Sequence, residues 1–217
     1  MRVLVACEFS GVVTRSFRKR GHEAFSCDLI ECEDAGMSLY HYQQDVLSGV
    51  LRDGWDLMIA HPPCTYLTCS AEWAYSDGPY HQQVKPDTLV GTARRKAREE
   101  AIQFVQLLMN APIKRIAIEN PIGVLSSRIR KPEQIIQPYQ FGEDASKATC
   151  LWLQGLPVLK ETNYVEPRIV DGKKRWSNQT DSGQNRLSPS NDRWAKRSVT
   201  YQGIADAMAE QWGKGGA

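Results

Sequence analysis

The feature that most restricts the fold of this chain is an alternation between two hydrophobic periods. Arg2 to Cys7 is a short β-branched apolar run, the pattern of a buried strand. From Ser10 to Arg20 the spacing becomes helical, with Val13 and Phe17 four apart. Ser10 is placed to cap that helix, Arg18, Lys19 and Arg20 fill its last turn, and Gly21 can end it. Glu23 to Cys27 reads as a second strand ending at Asp28, Gln44-Asp45-Val46 as the end of a short third, and Trp55 to Ala60 as a fourth. Ala97, Ala101, Phe104, Val105 and Leu108 form the stripe of a long helix that starts with Arg94, Arg95, Lys96 and Arg98. Arg115 to Ile118 gives a fifth strand and Thr149 to Leu153 a sixth. Ile204, Met208 and Trp212 share one face of a closing helix.

Such alternation predicts an α/β fold with a mostly parallel sheet and right-handed crossovers. Ligands of these sheets bind beyond the carboxyl ends of the strands. Glu8, Asp28, Asp45, Cys64 and Glu119 all fall at those ends.

The 217 residues suit one domain, 1–217, with a small appendage, and a net charge of +2 argues against a strongly basic coat protein. No apolar run approaches the roughly 20 residues of a membrane helix. Met1 leads straight into the first strand without a signal-peptide layout, so a soluble cytoplasmic protein is expected. The six cysteines read as free thiols. Cys27/Cys32, Cys64/Cys69 and His61 raise the question of zinc, but the spacing is looser than the usual knuckle and no metal is expected.

Several strand ends carry candidate chemistry. Glu8-Phe9-Ser10-Gly11 opens a helix, and its glycine would let a ligand approach the backbone; a plain tight turn fits equally well. Asp28 stands where an acid can take ribose hydroxyls, or is a surface carboxylate. Pro62 and Pro63 bar continuation of the fourth strand and fix the backbone beside Cys64. A free thiol has a pKa of about 8.5, so a nucleophilic cysteine needs positive neighbours. His61, Lys147 and the basic run from Arg94 are the candidates. Glu119-Asn120-Pro121 places an acid at the next strand end, as a helix cap or a substrate ligand. Residues 65–91 are too long for an ordinary connection and suit a lid.

In this order the pieces resemble the DNA (cytosine-5)-methyltransferases, especially compact phage and prophage members. The resemblance covers nearly the whole chain and implies a Rossmann-like, S-adenosylmethionine-dependent methyltransferase fold with helices on both sheet faces. Phe9-Ser10-Gly11, with Glu8 beside it, matches the turn that cradles the methionine part of the cofactor. Asp28 and Leu29 would meet the ribose, Asp45 and Val46 the adenine, with Pro62 nearby. Pro63-Cys64 matches the nucleophile motif, and Glu119-Asn120 its acidic partner, with Pro121 replacing valine. Ser146-Lys147-Ala148-Thr149 is a looser counterpart of a paired-arginine strand, which puts Lys147 among the catalytic residues. Pro63, Asn120, Pro121 and Thr149 would then touch the substrate. Arg197 to Ala205, with Tyr201 and Gln202, matches the last motif, which packs beside the first strand.

The implied reaction is methylation of cytosine carbon 5 in DNA, the base flipped into the site, with Cys64 adding at carbon 6. Four departures stand out: Cys7 replaces the usual acid, Val13 a glycine, and Lys147 the arginine pair, while residues 156–195 are all that remains for target recognition. Single-stranded DNA or a free pyrimidine nucleotide is the alternative substrate, a modified group the alternative cargo, and a non-catalytic DNA-binding partner the alternative role. Arg168, Lys173, Lys174, Arg175, Arg186, Arg193, Lys196 and Arg197 outnumber the nearby acids, fitting either a phosphate backbone or a solvated face.

Overall fold

The computed structural model describes residues 1–190 and 192–214. Seven strands form one sheet: β1 (Arg2–Ala6), β2 (Glu23–Asp28), β3 (His41–Gln43), β4 (Leu57–Ala60), β5 (Ile116–Pro121), β6 (Gln134–Ile136) and β7 (Thr149–Gln154), in the order β3-β2-β1-β4-β5-β7-β6. The first five are mutually parallel, and β7 runs antiparallel to both β5 and β6. The expected class, an α/β Rossmann-like sheet that is mostly parallel with helices on both faces, is the one observed.

Alternate side chains of the strands bury against opposite layers. Val3, Val5, Leu57, Ile59 and Ala117 meet α1 (Val12–Lys19) and α5 (Gln202–Gly213) through Val13, Phe17, Ile204, Met208 and Trp212. Leu4, Ala6, Met58, Ala60, Ile116 and Ile118 meet α2 (Gly91–Met109) through Ile102, Val105 and Leu108. Each fully buried side chain of this size contributes about 1.5–3 kcal/mol. Strand order reverses between β1 and β4, which opens a crevice at their carboxyl ends.

Several expectations shift. The third strand lies at His41–Gln43, before the Gln44-Asp45-Val46 segment, and β4 begins two residues after Trp55, whose indole Nε1 donates to Val50 O at 2.6 Å. Gly11, at φ 69°, is the N-cap of α1 rather than Ser10. The sheet gains β6, a three-residue edge strand. The stretch 156–195 contains a hairpin, β8 (Arg168–Val170) with β9 (Lys173–Arg175), and the short α4 (Arg193–Ser198) begins at its end. No helix among the described residues is long and apolar enough to cross a membrane.

Segment 65–91 is tied down rather than loose. Arg98 donates from Nε to Tyr66 O at 2.9 Å, pairs with Glu72 at 2.7 Å and stacks 3.4 Å from the Tyr75 ring centroid. Arg95 donates to Tyr75 O at 2.6 Å and to Asp77, and Arg94 is buried over Tyr75 and Tyr66. The basic run at the head of α2 therefore holds this segment, and Arg94, Arg95 and Arg98 are not the positive neighbours of Cys64.

Candidate active site

Parallel pairing of β4 with β5 puts Ala60 opposite Ile118, so His61, the first residue past β4, lies beside Glu119, which stays in β5 opposite Leu151 of β7. His61 Nδ1 lies 2.7 Å from Glu119 Oε2. Burial alone would raise the Glu119 pKa, but the His61 hydrogen bond, the His61 charge and Lys147 outweigh it and hold the carboxyl below its ordinary value. The carboxylate is therefore the charged form at neutral pH.

Beyond His61 the two prolines carry the chain over the end of β5. Asn120, buried, donates from Nδ2 to Pro62 O at 2.8 Å and fastens that loop to β5. Cys64 O accepts from Leu67 N at 3.0 Å and Thr68 N at 3.1 Å, closing a turn that leaves the Cys64 side chain exposed. Val124 N donates to Leu67 O at 2.8 Å, so the turn is clamped a second time to the segment after β5. Cys64 and Glu119 consequently line one cavity of about 1280 Å³, with Pro63, Asn120, Pro121 and Lys147.

Although its sulfur is reachable, Cys64 is partly desolvated. Burial and then the Glu119 charge push its thiol up, while Lys147, a backbone hydrogen bond and Arg197 oppose them. Below its pKa a thiol gains thiolate tenfold per pH unit, and only the thiolate alkylates. At pH 8 the Glu119→Gln variant, lacking one raising charge, should therefore alkylate faster at Cys64 than the unaltered protein, and Lys147→Met more slowly. Peptide mass spectrometry after timed iodoacetamide exposure measures both; a reversed order would contradict this electrostatic balance.

Lys147 reaches the cavity from the segment before β7. Its Nζ donates to Arg197 O at 2.8 Å and its backbone N to Gln137 Oε1 at 2.9 Å, while Asn178 and Ser146 exchange two 2.9 Å bonds beside it. Asn178, Gln179, Gly183, Asn185, Arg186 and Leu187 line the same cavity.

At the β1 end, Glu8, Phe9, Ser10, Pro62 and Tyr201 also belong to the wall. Glu8 is turned inward: its carboxylate accepts from Val13 N at 2.6 Å, Thr14 N at 3.2 Å and Thr14 Oγ1 at 2.6 Å. It caps α1, and the helix N-terminus expected to attract an anion is satisfied internally. Gly11 does not open its backbone to a ligand either, since a Cβ there would lie 3.1 Å from Met37. Phe9 instead offers a face, its ring 5.8 Å from that of Trp194 at 51°, and the Trp194 side chain is 60% exposed.

Other expected cofactor residues lie outside this wall. Asp28 ends β2 and Asp45 lies two residues past β3; they accept from Ile30 N at 3.2 Å and Leu47 N at 2.9 Å. Both raise the thiol pKa of Cys7, after the larger effect of burial. Leu29 is exposed and Val46 sits in the α2-side core. Gln202 is engaged between helices, donating to Ser16 Oγ at 2.8 Å and Asp206 Oδ1 at 3.0 Å. Thr149 is buried and donates to Lys147 O at 3.1 Å. No cluster of three or more His, Cys, Asp or Glu side chains able to hold a metal ion occurs among the described residues.

No family model matches the chain, and no curated protein matches it. Among solved structures it is similar to a candidate DNA modification methyltransferase encoded within an E. coli prophage, with a TM-score of 0.45 and 12% identity, covering 79% of this chain and 53% of that one. It is also similar to a triple mutant of Spodoptera frugiperda DNMT2, with a TM-score of 0.42 and 13% identity, covering 80% of this chain and 57% of that one. The chain therefore spans little more than half the length of either.

Proposed function

We propose that this chain is an S-adenosylmethionine-dependent DNA methyltransferase acting on cytosine carbon 5 through a covalent Cys64 adduct. One observation carries the reading: a cysteine and a buried carboxylate from neighbouring strand ends, Cys64 and Glu119, line a single cavity of about 1280 Å³. That volume exceeds what one pyrimidine fills. The Phe9–Trp194 corner, its rings inclined at 51°, offers apolar faces to the cofactor, and Ser10 and Tyr201 add polar groups to the same wall. These residues fit the cofactor, with Asp28 and Asp45 beyond the rim as candidates for its sugar and base.

When bound, the cofactor supplies an electrophilic methyl group. Cytosine carbon 5 is a weak nucleophile until the Cys64 thiolate adds at carbon 6 and pushes electrons toward carbon 5 and ring nitrogen 3. Glu119, once it takes up a proton as electron density builds on the ring, donates to ring nitrogen 3, and the Asn120 Oδ1 atom, buried without a partner among the described residues, can accept from an exocyclic amine. Lys147, facing both Cys64 and Glu119, stabilises thiolate and carboxylate together. Loss of the carbon 5 proton then releases the thiolate.

Segment 156–195 is the candidate for substrate recognition. Arg186, Lys196 and Arg197 line the cavity, Lys196 being paired with Asp192 and Arg168 with Asp181. Because this short segment is all that is left for target recognition, single-stranded DNA or a free pyrimidine nucleotide is the second reading. Purified protein with labelled cofactor, offered duplex, single strand and mononucleotide, separates these readings. Nucleoside mass spectrometry should find 5-methylcytosine, and transfer to none of the three would reject the function.

A further inference from the structure

The His61–Glu119 contact gives the site a component that neither the nucleophile nor the carboxylate explains. His61 sits in the cavity wall with Nδ1 bound to the carboxylate and Nε2 buried without a partner among the described residues. A buried ring nitrogen left bare is costly, so a position that keeps one is better explained by use than by packing. The remaining ionisable groups around the pair are Cys64 after β4, Lys147 before β7, Cys150 on β7 and Arg197 on α4.

We propose that His61 is the proton reserve and positioning residue for Glu119, an inference that rests on the methyltransferase reading above. The imidazole fixes the Glu119 carboxylate beside the substrate ring. As the S–C6 bond forms and the C5=C6 double bond is lost, ring nitrogen 3 gains electron density; the Nδ1 proton of the His61 imidazolium moves to the Glu119 carboxylate, and the carboxyl so formed gives its proton to ring nitrogen 3. Glu119 ends as carboxylate and His61 as neutral imidazole. When carbon 5 loses its own proton and the S–C6 bond breaks, ring nitrogen 3 returns the borrowed proton along the same route. The net reaction then releases one proton, that of carbon 5. A carboxylate held below its ordinary pKa is a poor proton donor alone, which is the reason a second group is needed.

His61→Asn tests this, because the asparagine amide can keep a donor near Glu119 but cannot store a proton. Single-turnover transfer should fall about 10²-fold. The unaltered enzyme should lose rate on the alkaline side as the reserve empties, and the variant should lack that limb while binding cofactor normally in calorimetry. A variant that keeps the alkaline limb overturns the proposal, whatever its rate. Should His61→Asn fail to fold, the solvent deuterium effect on the unaltered enzyme serves: slowing in D2O is expected, and none overturns the relay. An unaltered protein that transfers no methyl group rejects the function itself, whereas transfer with an unchanged His61→Asn profile rejects only this role.

Discussion

Alanine at position 64 is expected to lower methyl transfer by about 10³-fold or more while leaving cofactor affinity unchanged. The separation follows from how the turn is built. Cys64 holds its loop through its backbone carbonyl, which accepts from Leu67 and Thr68, while its side chain is exposed toward the cavity. Truncating that side chain removes the sulfur and disturbs no core contact. Calorimetry with the cofactor and single-turnover transfer on the preferred substrate measure the two effects separately. Equal loss of binding and turnover would mean that the cysteine is structural, and undiminished transfer would mean that another group attacks.

A single methyl group at Gly123 should be nearly as damaging, although Gly123 touches no reacting atom. A Cβ there would fall 2.0 Å from Leu67 O and 3.0 Å from Thr68 Cα. Both are backbone atoms of the turn that follows Cys64, and neither can rotate away. The turn and the end of β5 would have to part, costing about 1–3 kcal/mol and lowering the melting temperature by about 5 °C for a chain of this size. The same displacement separates the sulfur from Glu119, and a shift of about 1 Å in reacting groups can cost 10²-fold in rate. Thermal unfolding and transfer by Gly123→Ala check this. A variant with normal melting and normal activity would show that the close approach is unimportant.

The layout of the sheet was legible because apolar runs and strand-end residues follow from burial. Arg2–Ala6, Glu23–Asp28, Leu57–Ala60 and Ile116–Pro121 each carry the alternation or run that a covered parallel strand needs. An apolar run announces a strand but not its direction, so Thr149–Gln154 could be placed without knowing that it runs antiparallel to β5. The three-residue strands β6, β8 and β9 were too short to show a period.

In the site, Pro62 and Pro63 told where Cys64 must sit, because proline's geometry acts locally. The His61–Glu119 pair was hidden, since it depends on the register between β4 and β5, which the chain does not spell out. Adjacent strand ends and an imidazole beside the Pro-Pro-Cys sequence were the available signal. Glu8 shows the opposite case. An acid beside a helix-opening turn reads as a ligand-binding group, yet three donors of α1 claim it.

The account stands on Cys64 and Glu119 acting on one pyrimidine ring from a shared cavity. A substrate carrying 5-fluorocytosine tests this most directly, because fluorine cannot leave carbon 5 as a proton does and the covalent intermediate is trapped. With cofactor present, intact-protein and peptide mass spectrometry should find a stable adduct on Cys64, absent from Cys64→Ala and strongly reduced in Glu119→Gln. Methyl transfer to ordinary cytosine with no adduct on the fluorinated substrate, or an adduct on a different cysteine, would contradict it.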